Sequence, residues 1–149
     1  MIYVHPGHFY VGRGSERVTT ILGSCVAVCL HDPISGIGGL NHFLLPTSSN
    51  AGETSPRYAH GAVESLVERM LMEGARPSRL QATIVGGARV LSAFPDDQNH
   101  LGLRNAAAAT ELLAERRIPV ISSDIGGDRG RKLVFFPRGG TYQVQLLGC

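Results

Sequence analysis

A cysteine follows directly on a Gly-Ser pair in the segment Thr19-Thr20-Ile21-Leu22-Gly23-Ser24-Cys25. Glycine lets the backbone turn sharply, and a sharp turn leaves amide groups without ladder partners. Free amides beside a sulfur stabilise a thiolate and can cradle an oxyanion. The plainer reading is a thiol that packs as a small hydrophobe. A histidine, His42, lies beyond the turn signal Asp32-Pro33-Ile34-Ser35-Gly36, in which aspartate opens the turn, proline presets φ and glycine takes a left-handed conformation. Such a turn, centred near Ile34, pairs residues whose numbers sum to about 67–69, so Cys25 faces His42 or Leu44. In either odd-sum register Cys25 and His42 share a face, with Cβ atoms about 4.5–8 Å apart. An even sum puts them on opposite faces. Thr19 has the parity of Cys25 on the incoming segment, although Gly23-Ser24 between them disturbs strict alternation. A thiol, an imidazole to take its proton and a hydroxyl to orient the imidazole form a nucleophile–base–orienter set. Alone, His42 reads as a core histidine; it is the pairing that suggests chemistry.

The elements that must position these groups are strand-rich. Val18 to Leu22 and Cys25 to Leu30 are apolar runs of strand formers, and Ile37 to Leu45, closed by Pro46, completes a β-hairpin with the second run. Thr47 to Pro56 reads as an exposed loop. From Ala59, the positions Val63, Leu66, Val67, Met70 and Leu71 recur at helical spacing, and Gly74 and Pro77 stop the helix. That apolar stripe is read as core rather than as a partner groove. Leu80 to Val85 is a strand running into Gly86-Gly87. An alanine-rich helix is predicted over Asn105 to Arg117, capped near Asn105. Pro119 to Ile125, Lys132 to Phe136 and Tyr142 to Leu147 are three further strands. Irregular alternation of strands with two helices predicts an α+β fold, one domain over residues 1–149.

Composition narrows the function classes. Fourteen Lys+Arg against twelve Asp+Glu give a formal net charge of +2, which supports no nucleic-acid grip. The opening residues have neither a basic n-region nor an apolar h-region, and no apolar run reaches the roughly 18 residues of a membrane span. Three cysteines, Cys25, Cys29 and Cys149, are too few for a secreted disulfide framework, so a reducing cytoplasm is expected. A zinc site of Cys25, Cys29, His31 and His42 is disfavoured, because two cysteines four residues apart on a strand lie about 13 Å from each other. Cys29 reads as core packing, and Cys149 has no evident role. His5 and His8 read as loop residues; His60 and His100 have no nameable partner. The glycine clusters Gly12-Arg-Gly14, Gly36-Ile-Gly38-Gly39 and Gly126-Gly-Asp-Arg-Gly130 lack phosphate-loop spacing and read as turns.

The stretches Leu22-Gly-Ser-Cys-Val-Ala-Val-Cys-Leu-His-Asp-Pro33 and Gly38-Gly-Leu-Asn-His-Phe-Leu-Leu-Pro46 resemble the CheD family of chemoreceptor glutamine deamidases. The likeness continues through Ile84-Val-Gly-Gly-Ala88, Gly102-Leu-Arg-Asn105 and Asp124-Ile-Gly-Gly-Asp-Arg-Gly-Arg131, in the same order. It implies a mixed β-sandwich flanked by helices, of the cysteine-hydrolase type related to deamidase toxins. It implies a protein-glutamine glutaminase that converts glutamines of methyl-accepting chemoreceptors to glutamates and releases ammonia. Cys25 is then the nucleophile and His42 the general base, with no metal or organic cofactor. The family's threonine lies six residues before the cysteine, which is Thr19; Thr20 beside it competes, and Thr19 is preferred. Arg129 and Arg131 read either as contacts to an acidic receptor surface or as a solvated turn. The alternative function is a non-catalytic adaptor that binds a CheC-type phosphatase.

Overall fold

The computed structural model describes residues 1–48, 50, 54–89 and 100–148. The chain runs β1 (Ile2–Tyr3), β2 (Phe9–Gly12), β3 (Val18–Leu22), β4 (Val26–Asp32), β5 (Ile37–Asn41), α1 (Ala59–Met72), β6 (Gln81–Gly86), α2 (Leu101–Glu115), β7 (Val120–Ile125), β8 (Arg131–Phe136) and β9 (Thr141–Leu146). A single 3-10 turn, Pro77–Arg79, leads into β6. The strands form a four-stranded sheet in the order β1-β3-β8-β9 and a five-stranded sheet in the order β2-β5-β4-β6-β7. Parallel and antiparallel pairs occur in both. The described residues therefore form a mixed α+β sandwich with two helices.

β4 explains the layering. Its residues alternate between two cores, as a pleated strand buried on both faces must. Val26, Val28 and Leu30 pack with α1 and α2 through Val63, Leu66, Met70, Ala109 and Leu113. Ala27 and Cys29 point the other way, into a core shared with Val18 and Leu22 of β3 and Leu133 and Phe135 of β8. Helices thus cover one face of the five-stranded sheet and the four-stranded sheet covers the other. This second core, between the sheets, is where the candidate chemistry lies.

The turn after β4 forms as its residues require: the Asp32 carboxylate accepts from the Ile34 and Ser35 amides at 2.9 and 3.3 Å, and Gly36 has φ +72°. Paired positions of β4 and β5 add to 69, as in Cys29 with Leu40 and Asp32 with Ile37, within the odd-sum registers expected. α1 ends at Met72, with Glu73 as its C-cap and Gly74, φ +114°, turning the chain away. The second helix differs from expectation. It starts at Leu101, a turn before Asn105, with the His100 ring accepting from the Leu103 amide at 3.1 Å. Gly102, a poor helix former, obscures that first turn in the sequence, and Asn105 lies buried inside the helix rather than capping it. β1 and β2, interrupted by His5-Pro6-Gly7-His8, were too short to read from pattern.

Candidate functional site

Gly23-Ser24-Cys25 is the corner at which the chain leaves the four-stranded sheet at Leu22 and joins the five-stranded sheet at Val26. Each carbonyl of the corner is held from outside. Gly23 O accepts from Ala88 N at 3.0 Å, Ser24 O from the Asn105 side-chain amide at 2.9 Å, and Cys25 O from Gly87 N at 2.9 Å. The Gly86-Gly87 doublet makes this possible. Gly86 (φ +114°) lies so close that a Cβ there would sit 2.4 Å from Cys25 O. Cys25 is half-buried at the rim of the inter-sheet core, while Cys29, two alternations deeper on the same face, is buried.

His42 follows the last residue of β5. The Val26–Phe43 bridge, closed by bonds of 3.2 and 3.0 Å, keeps the 69 register past the end of the strand. Carried one position either side of that bridge, the register sets Cys25 level with Leu44 and His42 level with Ala27, which makes the thiol and imidazole diagonal neighbours on the inter-sheet face. Between that bridge and the Cys29–Leu40 pair the ladder opens. Val28 N takes the Asn41 side-chain oxygen at 2.8 Å. The His42 backbone turns instead to the N-terminal segment, donating to His8 O at 3.2 Å and accepting from Gly7 N at 2.8 Å.

The hydroxyl that meets the imidazole belongs to Thr20, with Oγ1 2.7 Å from His42 Nδ1. Thr19, the residue expected there, instead donates to Leu133 O at 2.8 Å. The expectation carried the parity of Cys25 back through the Gly-Ser corner. Parity does not survive that corner, because β3 and β4 belong to different sheets. On β3 it is Val18 and Leu22, hence Thr20, that face the inter-sheet core, whereas Ile21 is exposed.

Thr20 also fixes the histidine's tautomer. Its Oγ1 lies 2.7 Å from Val4 O, which can only accept, so the single hydroxyl proton points to Val4. Thr20 must then accept from His42, which places the ring proton on Nδ1. Nε2 is left with its lone pair, buried and without a hydrogen-bond partner among the described residues. Burial pushes the His42 pKa down to about 4, so the ring is neutral at physiological pH. Burial also pushes the Cys25 thiol up, with its own backbone amide working in the other direction. The Cys25 amide therefore favours the thiolate, as the Gly-Ser-Cys sequence suggests, but burial outweighs it.

The remaining candidates sit elsewhere. His31 Nε2 lies 2.9 Å from Arg138 O. Among the described residues no group of three His, Cys, Asp or Glu is placed to hold a metal ion. Arg131 is buried, paired with Asp124 at 3.0 Å and reaching Gly86 O at 3.4 Å, so it is no surface contact. Arg129 donates to Leu147 O from an exposed position. Cys149 lies outside the described residues. Sequence reasoning missed Val4 and Asn105; the first carries no side-chain signal at all, and the second had only its place in Gly102-Leu-Arg-Asn105.

A family model described as CheD, chemotactic sensory transduction, matches residues 44–146. A protein of Anaeromyxobacter dehalogenans named "Probable chemoreceptor glutamine deamidase CheD 1" is 47% identical over 98% of this chain and 84% of its own length. One of Rhizobium leguminosarum bv. trifolii, named "Probable chemoreceptor glutamine deamidase CheD", is 49% identical over 99% of this chain and 81% of its own. The crystal structure of a Bacillus licheniformis hypothetical protein, YfiH, is similar at TM-score 0.46 and 18% identity, covering 75% of this chain and 46% of that one.

Proposed function

The chain belongs to the CheD family, and from that premise we propose that it hydrolyses glutamine side chains of chemoreceptors to glutamates. Cys25 is the nucleophile, His42 the general base and Thr20 the residue that orients it. The observation that carries this reading is the Thr20-held Nδ1–H tautomer, which leaves the His42 Nε2 lone pair buried without a partner among the described residues, beside the inter-sheet core against which Cys25 packs.

The reaction follows from these groups. The Cys25 sulfur attacks the side-chain amide carbon as its proton passes to His42 Nε2. The oxyanion is met by backbone amides at Ser24–Cys25, in a corner whose carbonyls are already turned to other partners. His42, now cationic in a site that disfavours its charge, gives the proton to the departing nitrogen, and ammonia leaves a thioester. Water deprotonated by the same Nε2 attacks the thioester carbon; glutamate forms and the thiol is restored. The low basicity of His42 suits the second half of each step, since a buried imidazolium is a strong acid.

Among the described residues no helix is long and apolar enough to cross a membrane. We place the protein in the cytoplasm, where a reduced thiol persists. The test is incubation with a receptor cytoplasmic fragment, read by ammonia release and mass spectrometry. The expected result is a unit mass gain at particular glutamines, lost in Cys25→Ala. An adaptor that docks a CheC-type phosphatase predicts no mass gain and phosphatase binding indifferent to Cys25→Ala.

A further inference from the structure

Asn105 has no exposed surface, and its side-chain nitrogen donates twice, to Ser24 O at 2.9 Å and to Leu44 O at 3.0 Å. Ser24 immediately precedes the nucleophile. Leu44 is level with Cys25 when the 69 register is carried one position past the Val26–Phe43 bridge, and lies two residues beyond His42. One amide group thus ties together the two chain segments that carry the thiol and the imidazole, past the Val26–Phe43 bridge where the backbone ladder ends. We propose that Asn105 is a positioning residue for deamidation, setting the separation of Cys25 and His42; this rests on the Cys25–His42 reading given above.

Three features support a role beyond filling the core. Both partners are carbonyls, so the amide can face them only with its nitrogen, and a single atom with two N–H groups is what the position demands. Aspartate, serine or alanine cannot supply it. The other end of the same group, Oδ1, is buried without a partner among the described residues. A buried amide retained for stability alone is normally satisfied at both ends, whereas here the donor end is served at the expense of the acceptor end. Finally, the helix is brought unusually close to the corner. A Cβ on Gly102, one turn before Asn105, would sit 2.3 Å from Gly87 O. Gly87 in turn donates to Cys25 O. Helix α2, the glycine doublet and the thiol corner form one packed unit, and Asn105 extends it to the histidine segment.

The experiment uses the full chain with Asn105→Ala and the isosteric Asn105→Asp, at a temperature where each is folded by circular dichroism. It reads kcat and KM on the receptor fragment, and separately the rate at which iodoacetamide alkylates Cys25. Misplacing a catalytic pair by about 1 Å can cost on the order of 100-fold, so the expected result is a kcat lowered about 10–100-fold with KM within about twofold. Alkylation of Cys25 slows in both variants. In Asn105→Asp an ionised carboxylate repels both carbonyls and a protonated one regains a single donor, so its kcat relative to wild type rises as the pH is lowered from about 8 to about 6. An unchanged kcat in folded Asn105→Asp at the higher pH overturns the proposal, as does a loss confined to KM. The alkylation readout needs no receptor: slower alkylation with no ammonia released by wild type would sink the deamidase reading while leaving the positioning role intact.

Discussion

The two ends of β4 treat polar groups in opposite ways. At the Asp32 end a carboxylate with no exposed surface would be raised in pKa by its burial, yet Arg79 and the amides of Arg76, Ser35 and Ile34 hold it well below the usual carboxylate range. Arg79 donates from Nε and Nη2 at 3.0 and 2.9 Å, and the Arg76 amide at 3.0 Å. At the other end, beside Cys25, burial acts on His42 with nothing to oppose it, and Nε2 has no partner among the described residues. A charge satisfied from every side fastens the turn to the 3-10 segment. A base held at one nitrogen and left open at the other is free to act. Burial that no partner offsets, at a ring nitrogen left open, is what marks His42 rather than Asp32 as the candidate for the proposed chemistry.

That contrast can be broken by mutation. The largest effect is expected from His42→Gln, which removes the base: kcat falls roughly 10²–10⁴-fold with receptor affinity retained, measured by ammonia release and binding. Arg79→Leu at the opposite end leaves the rate per folded molecule unchanged. It costs about 2–4 kcal/mol of unfolding free energy in urea, below the full loss for a buried pair because Arg79 is partly exposed and three amides still hold Asp32. A change in rate without a change in stability would erase the distinction between the ends.

The threonines sharpen it further. Thr20→Val strips His42 Nδ1 and Val4 O of their shared partner, and kcat is expected to fall about 10–100-fold through loss of the tautomer lock. Thr20→Ser restores most of it. Thr19→Val removes one bond to Leu133 O, costs about 1 kcal/mol in stability and leaves kcat within about threefold. Activity surviving Thr20→Val but not Thr19→Val would return the orienting role to Thr19.

The smallest effect is a separation in pH. His42 has a folded pKa of about 4, below the unfolded value near 6.5. Between those values the unfolded chain binds a proton that the folded chain does not, so stability rises with pH across this window and is lost as pH falls through it. Asp32 is depressed from about 3.9; its contribution is complete above that value and fades only below it. Urea midpoints from about pH 7 to pH 4 should therefore decline in wild type and less steeply in His42→Gln. Parallel curves for the two proteins would contradict the assignment of a buried neutral imidazole.

Much of this was legible in the sequence where local chemistry decides. Asp32-Pro33 and Gly36 specify the turn, an odd register follows, and Cys25 and His42 fall on one face. The helix over Ala59–Met72 and the strands β6 to β9 follow from periodicity and glycine punctuation. What failed involved relations between layers. The parity of Thr19 with Cys25 would hold within one strand, but Gly23-Ser24 moves the chain to another sheet. The partners of Thr20 and the His42 backbone come from Val4, Gly7 and His8, on a short N-terminal segment with no pattern of its own. Asn105 looks like a helix cap until α2 is seen to begin a turn earlier. The thiol's direction of shift depends on burial, which a Gly-Ser-Cys motif does not report.

A covalent step at Cys25 leaves a thioester that intact-mass spectrometry can trap in an acid-quenched mixture of protein and receptor fragment. The expected product is an adduct equal to the two masses less ammonia, mapped to Cys25, released by hydroxylamine and absent in Cys25→Ala. Glutamate forming at the wild-type rate in Cys25→Ala, or an adduct mapped to any other residue, would contradict it.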